Sequence, residues 1–300
     1  IKSKIHPSVR IAVVGGVIYH DGLSEIKKND FIDACILNFT TNDVLNFFLK
    51  NYENLNNVIY RKNNEIFATS IRMPDTNFVI PVPSHEDLPL SKYQISHGRT
   101  KPLTSVITSY GCPHKCSFCV SGRINFRYRN IDNIIEELDY LHSIGVKEIV
   151  FRDNIFGFHK KSCRTLLEKM IERKYKFSWV SDSRVDILDE EMIKLMSESG
   201  CHSLHFGIES ASTETLKQYD KNLKDIGLIE KTIRLCKKFN ILSVGYFILG
   251  LPGETRDDVD RTINYAIKLN LNFASFNLPI PILGTELREN SIKNEWMLDN

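Results

Sequence analysis

The chain has 300 residues, 42% of them hydrophobic, with 39 basic against 37 acidic side chains. That is enough apolar material for one large domain, or for one barrel with an appendage, around a packed core. The near balance of charge leaves no basic stripe for a nucleic-acid surface, and no apolar run approaches the roughly 20 residues of a membrane span. No charged and then apolar leader precedes a cleavage site, so a cytoplasmic, reducing compartment is expected. The first residue is Ile1 and a buried strand follows almost at once, so the expectation is a fragment of a longer protein.

Residues 9–16 read as a parallel-sheet strand running into a glycine turn at Gly15 and Gly16. A short polar helix over 22–29, an apolar strand over 31–37 and an amphipathic helix over 42–55, with Val44, Leu45, Phe47 and Phe48 on its apolar side, follow. Residues 58–67 read as a hairpin turning at Asn63 and Asn64. This order is that of the second half of a doubly wound α/β domain. From 72 to 101 the chain lacks periodicity and carries Pro74, Pro81, Pro83 and Pro89, with Pro102 just beyond, which predicts an extended linker between two domains.

Beyond the linker, strand and helix alternate. Strands are predicted over 103–109, 148–153, 177–181, 203–209, 243–249 and 273–278, with helices starting near Asn130, Lys161, Asp189, Asp225 and Thr255. Repeated βα units imply a parallel sheet with right-handed crossovers. In barrels built this way the chemistry sits at the carboxyl ends of the strands.

The end of the first of these strands carries Cys112, Cys116 and Cys119 within eight residues, out of seven cysteines in the chain. Thiolates select zinc, copper(I) or iron–sulfur clusters, and a full cubane usually takes four cysteines. Three therefore fit either a cluster with one iron left open, or a zinc site completed by His114, Cys163 or a more distant residue. The C-x3-C-x2-C spacing lacks the second pair usual for zinc and favours the cluster. Cys35, Cys201 and Cys236 sit in apolar runs and read as small buried hydrophobes. His114, His159, His202 and His205 have no distinctive spacing, and none is assigned a catalytic role.

The loop resembles the CxxxCxΦC signature of the radical S-adenosylmethionine (radical SAM) superfamily, with Phe118 as the aromatic residue. The resemblance covers residues 102–285 and implies an α/β fold, a partial (β/α)6 TIM-like barrel, with a C-terminal extension starting at 286. It implies that Cys112, Cys116 and Cys119 hold a [4Fe–4S] cluster whose fourth iron chelates S-adenosylmethionine. A reduced cluster then cleaves that cofactor to methionine and a 5′-deoxyadenosyl radical, with flavodoxin or ferredoxin as electron donor.

It also assigns cofactor contacts to Phe118, to Asp153 and Asn154 after the second strand, and to Arg184 after the third. Glu209 and Ser210, in a Gly-Ile-Glu-Ser sequence, and Ile248 and Gly250 beside the adenine, complete the set. Several have a plainer reading, Phe118 among them as ordinary core packing. Asp153 suits a helix cap or salt bridge as well as an ammonium, and Arg184 suits an ion pair with Asp186 or Asp153 as well as a methionine carboxylate. Glu209, an acid ending an apolar strand, needs a partner of some kind. Glu254 and Thr255 read as the start of a helix. The run from Pro279 to Thr285 resembles the family's Pro-x-Pro-Gly-Thr with loosened spacing and is expected to shape the barrel's open edge.

Residues 1–71 are similar to the end of the Rossmann-like cobalamin-binding domain that precedes the barrel in one subgroup, with Gly15 and Gly16 making room for the cofactor's nucleotide tail. Where relatives carry Gly-Glu-Gly-Glu, this chain has Asn38-Phe39-Thr40-Thr41-Asn42, and the Asp-x-His-x-x-Gly loop would lie before residue 1. The implied activity is cobalamin-dependent methylation of a small molecule or peptide. A cobalamin-independent rearrangement, oxidation or sulfur insertion is the alternative enzyme, and a zinc-stabilised binding module the alternative without catalysis.

Overall fold

A computed structural model describes residues 8–72, 76–223 and 225–297; Ile1 and Pro74 lie outside them. The chain divides into two compact units, one running to Ile80 and taking in Ile282–Gly284, the other Pro81–Pro281 with the residues from Thr285 onward.

In the first unit, β1 (Ala12–Val14) leads through Gly15 into α1 (Gly16–Lys28), followed by β2 (Ala34–Ile36), α2 (Asp43–Phe48), β3 (Val58–Lys62), β4 (Glu65–Ala68) and the short β5 (Asn77–Phe78). The sheet order is β1-β2-β3-β4, with β1 parallel to β2 and the other two pairs antiparallel. The hairpin turns at Asn63 and Asn64, both left-handed at φ 50° and 66°, a conformation asparagine tolerates better than most residues. Two expectations shift here. Helix α1 begins at the glycine pair instead of at residue 22, bending at Asp21. The helix expected over 42–55 stops at Phe48, because Lys50 turns left-handed and Leu45, Phe48 and Leu49 face solvent, which leaves a longer helix no apolar face to bury.

The second unit carries a six-stranded parallel sheet in the order β13-β12-β11-β10-β9-β6. Its strands are β6 (Leu103–Val106), β9 (Glu148–Phe151), β10 (Ser178–Ser183), β11 (Cys201–Glu209), β12 (Leu242–Ile248) and β13 (Phe273–Asn277). A short antiparallel pair, β7 (Ser109–Tyr110) and β8 (Arg127–Arg129), brackets the cysteine loop. Helices α3 (Ile131–Ser143), α4 (Lys160–Glu172), α5 (Glu190–Glu198), α7 (Gly227–Lys238) and α8 (Arg256–Leu269) connect successive strands. Two further helices, α6 (Thr213–Gln218) and α9 (Glu286–Lys293), were not expected.

Strand neighbours follow sequence order, and among the described residues β6 and β13 do not pair. The result is the open, partial barrel the βα repeat implies. One face of the sheet, with Ile149, Phe151, Trp179, Leu204, Phe206 and Phe247, packs into the main core against the helices. Helix α3 contributes Ile134, Ile135, Leu138 and Leu141 at helical spacing. Its Asn130 cap accepts from the amides of Asp132 and Asn133.

Residues 81–101 form part of the second unit instead of a free linker. Leu90 enters the main core, and Ile95 packs on Leu103, Val150 and Val180. Buried His85 donates to Glu137 (2.8 Å) and accepts from Thr104 (2.8 Å). The proline-rich composition concealed these anchors, and two 3-10 turns, His85–Asp87 and Leu90–Lys92, interrupt the extended backbone.

At the opposite end of β9 from the cysteine loop, buried Glu148 accepts from Thr100 (amide 2.8 Å, hydroxyl 2.9 Å), the Arg99 amide (3.1 Å) and His202 Nε2 (2.6 Å). Burial pushes this carboxyl up, but the hydrogen bonds from His202 and Thr100 outweigh it and hold it below its ordinary value of 4.5. A depressed carboxyl contributes stability that is present above 4.5 and lost as pH falls through the folded value. Glu148→Gln should therefore cost about 1–3 kcal/mol at neutral pH and flatten the acid limb of the stability curve. Urea midpoints from pH 7 down to about pH 3 measure both; an unchanged acid limb would remove Glu148 from that role.

Candidate active site

The cysteine loop is the excursion between β7 and β8, where the chain leaves the carboxyl end of β6. Gly111 opens it at φ +79°, and a Cβ there would stand 2.5 Å from the carbonyl oxygens of Ile124 and Asn125. Only glycine allows the Cys112 amide to donate to Ile124 O (3.2 Å). Farther along, the Ser117 amide donates to Tyr219 O (3.1 Å) and the Leu287 amide to Ser117 O (3.0 Å). The unexpected helices α6 and α9 thus clamp the loop from two sides.

Cys112, Cys116 and Cys119 are free and half-buried. Burial pushes the Cys112 and Cys116 thiols up and the charge of Cys119 adds to this, while Lys221 and Arg184 pull both back. The three sulfurs and two cations therefore share one neighbourhood. Among the described residues no three His, Cys, Asp or Glu side chains are gathered closely enough to hold a single metal ion. A cubane places each thiolate on a different iron, so the donor set of three soft ligands facing two cations suits an anionic cluster better than one zinc ion.

Each cation is itself paired. Arg184 forks onto Asp186 (2.9 and 2.7 Å) and donates to Lys221 O (3.1 Å). Lys221, 7% exposed, donates to Glu209 at 2.7 Å. Glu209 ends β11 in the left-handed region, at φ 67°, a conformation that stores strain in a non-glycine residue. Gly207 gives the pair room: a Cβ there would lie 2.4 Å from Glu209 Oε1 and 2.8 Å from Lys221 Nζ, and the two flexible side-chain ends would have to shift. Lys221 was not visible as a site residue in the sequence. It stands in an unpatterned loop after α6, and only the bend of the chain brings it back under β11.

The remaining expected residues divide. Phe118 and Ile248 meet in one small cluster with Tyr219, Leu251 and Leu287. Gly250 is exposed and lines a cavity of about 440 Å³ with Pro252, Pro279, Pro281, Leu287 and Trp296. Glu254, beyond starting a helix, accepts from the amides of Gly250 and Leu251 (both 3.0 Å) and from Ser210 (3.1 Å). Ser210 is fully buried and serves this brace. Thr255 forms a capping box with Asp258.

Asp153 is buried on the helix side of the sheet. It accepts from the Thr108 amide (2.7 Å), the Thr108 hydroxyl and the Ser109 hydroxyl (2.7 Å). Burial lifts its carboxyl, against those hydrogen bonds. These bonds hold the start of the cysteine loop, and Asn154 is exposed in the turn that follows.

In the first unit, Gly15 and Gly16 open onto free space: a Cβ on either would meet nothing within 4 Å. Val14 and Val17 beside them are exposed. The carboxyl end of β1 is therefore uncovered within its own unit, which leaves room for a bulky group. The Asn38 side chain accepts from the Thr40 amide (3.1 Å) and hydroxyl (2.8 Å), so the segment in place of Gly-Glu-Gly-Glu folds on itself.

Among the described residues no helix is long and apolar enough to cross a membrane. The chain is 38% identical over 223 residues to an uncharacterized methyltransferase of Pyrococcus horikoshii, a match covering 73% of this chain and 48% of that protein. It is 27% identical over 234 residues to the bacteriochlorophyllide d C-12(1)-methyltransferase of Chlorobaculum tepidum, covering 76% and 48%. The chain thus spans about half the length of these curated relatives.

The solved structure of the radical S-adenosylmethionine methyltransferase TsrM from Kitasatospora setae, with cobalamin and a [4Fe–4S] cluster bound, superposes with a TM-score of 0.76. That match runs at 16% identity over 96% of this chain and 58% of that one, and it speaks to the fold. The model of the Radical SAM superfamily matches residues 106–266, from the last residue of β6 into α8. That span holds the cysteine loop, its two cations and most of the barrel, and by it the chain belongs to the Radical SAM superfamily.

Proposed function

We propose that the protein is a radical SAM enzyme that uses S-adenosylmethionine, and cobalamin as second cofactor, to methylate an as yet unassigned substrate. The observation that carries this is the neighbourhood of three free thiols and two paired cations at the carboxyl end of β6. When bound, a [4Fe–4S] cluster supplies the electron that cleaves the sulfonium of S-adenosylmethionine. The chain's own residues position and insulate. Cys112, Cys116 and Cys119 would hold the cluster, Arg184 and Lys221 offset its negative charge, and Phe118 and Ile248 supply an apolar wall. The proposed layout of the chain is a partial cobalamin-type unit before the barrel, with a C-terminal extension after it. The open end of β1 at Gly15 and Gly16 is the place for the corrinoid, and the methyltransferases among the relatives support this reading.

One observation favours a reading without cobalamin: the self-folded Asn38–Thr40 turn where the subgroup carries its acidic glycine motif. The full-length protein, reconstituted anaerobically with iron, sulfide and hydroxocobalamin, decides between them. The expected result is stoichiometric corrinoid absorbance and 5′-deoxyadenosine or S-adenosylhomocysteine on reduction with S-adenosylmethionine. Cleavage with no retained corrinoid would leave the cobalamin-free enzyme, and a loaded cluster that cleaves nothing would sink both.

A further inference from the structure

The inner face of the barrel carries a second group of polar residues that the cysteine site does not use. Sheet register places Val150 beside Val180, and Asp182 beside His205, Val244 and Phe273. Side chains two apart on a strand share a face, so Arg152, two residues beyond Val150, points inward with Asp182, His205 and Tyr246. Asp153, one residue later, points to the helices. The floor is apolar, built by Ile95 on Leu103, Val150 and Val180.

Above that floor lies a cavity of about 260 Å³ lined by His97, Arg152, Asp182, His205 and Tyr246. It adjoins one of about 430 Å³ lined by Leu88, Tyr93 and Leu103, and Ile95, Val150 and Arg152 border both. His205 is 8% exposed; its Nδ1 faces the Tyr246 hydroxyl at 3.1 Å and Asp182 at 3.4 Å, while its Nε2 is buried without a partner. Arg152 is exposed to the cavities, and its guanidinium makes no hydrogen bond or ion pair among the described residues. An unpaired fork of donors at the junction of a polar and an apolar chamber is poised for a planar or tetrahedral oxyanion.

We propose that this chamber binds the substrate, and that the substrate is a small molecule with an oxyanion head, carboxylate or phosphate, on Arg152 and an apolar body over Ile95, Leu103 and Val150. His205 and Tyr246 hydrogen-bond the polar end. The assignment rests on the proposed enzyme reading only in calling this ligand the substrate.

The test is equilibrium binding to the full-length, reconstituted and oxidised protein, using trans-cinnamate, its neutral analogue trans-cinnamamide, and phenyl phosphate as probes, with and without saturating S-adenosylmethionine. One anionic probe should bind at least about tenfold more tightly than the amide, and which of the two does so identifies the head group. Arg152→Gln should bring the anion down to the level of the amide, and Arg152→Lys should keep part of the preference. Because the guanidinium braces nothing, both variants should keep the wild-type far-ultraviolet spectrum.

Equal binding of acid and amide, a preference that survives Arg152→Gln, or no saturable binding in the millimolar range would overturn the proposal. So would competition by S-adenosylmethionine, which would give Arg152 to the cofactor's own carboxylate. None of these readouts needs cofactor cleavage, so anion binding without cleavage would fault the enzyme reading alone.

Discussion

Cys116→Ala should yield a folded protein that no longer assembles its cluster. The Cys116 thiol is half-buried and makes no hydrogen bond among the described residues, so its removal costs the loop little packing. Its backbone bond, Cys119 amide to Cys116 O at 3.0 Å, remains. The loss falls on the cluster, because two thiolates leave two irons open where three leave one. After reconstitution the iron content should drop from about four per chain to well below one, with the brown absorbance and all 5′-deoxyadenosine formation. Cys163→Ala is the control. That thiol is buried in the main core, where burial pushes it far up, and its loss should leave the iron content unchanged. A wild-type protein that took up one zinc and no iron would overturn the cluster and restore the zinc-stabilised module.

Lys221→Met should destabilise the barrel strongly. Lys221 and Glu209 are each 7% exposed and paired at 2.7 Å. Removing one partner strands the other as a buried charge, at a cost of about 3–5 kcal/mol. In a unit of this size that corresponds to a melting temperature lower by roughly 10 °C. The double variant Lys221→Met with Glu209→Gln should recover most of the loss, since a buried pair exchanged for neutral groups is close to even in energy. The single variant should also leave the Cys112 and Cys116 thiols higher, because Lys221 is one of the two cations that lower them. Urea denaturation of the wild type, both single variants and the double variant closes the cycle. A Lys221→Met midpoint equal to wild type would mean the ion pair contributes nothing.

The parts of this protein legible in the chain are those set by local periodicity and spacing. Alternating apolar strands and amphipathic helices predicted the parallel sheet, and β6, β9, β10, β11, β12 and β13 all fall within or beside the predicted segments. Asn63 and Asn64 announced their turn through their tolerance of left-handed backbone. The C-x3-C-x2-C spacing located the candidate cluster loop, because three soft ligands so close together have few other uses. The helix end at Phe48 and the docking of residues 81–101 were not legible: both depend on which side chains find a distant partner, as His85 finds Glu137 and Thr100 finds Glu148.

Local patterns in the chain set out the main barrel strands and the helices that connect them, the place of the three thiols and the superfamily signature, since each is encoded within a short run of neighbours; α6 and α9 escaped them. Which polar side chains face which cavity depended on long-range packing. Asp153 and Arg152 are adjacent, yet the two-residue period of a strand sends one to brace Thr108 and Ser109 and the other into the barrel. Lys221 reaches Glu209 beside Gly207, a contact that no local pattern carries.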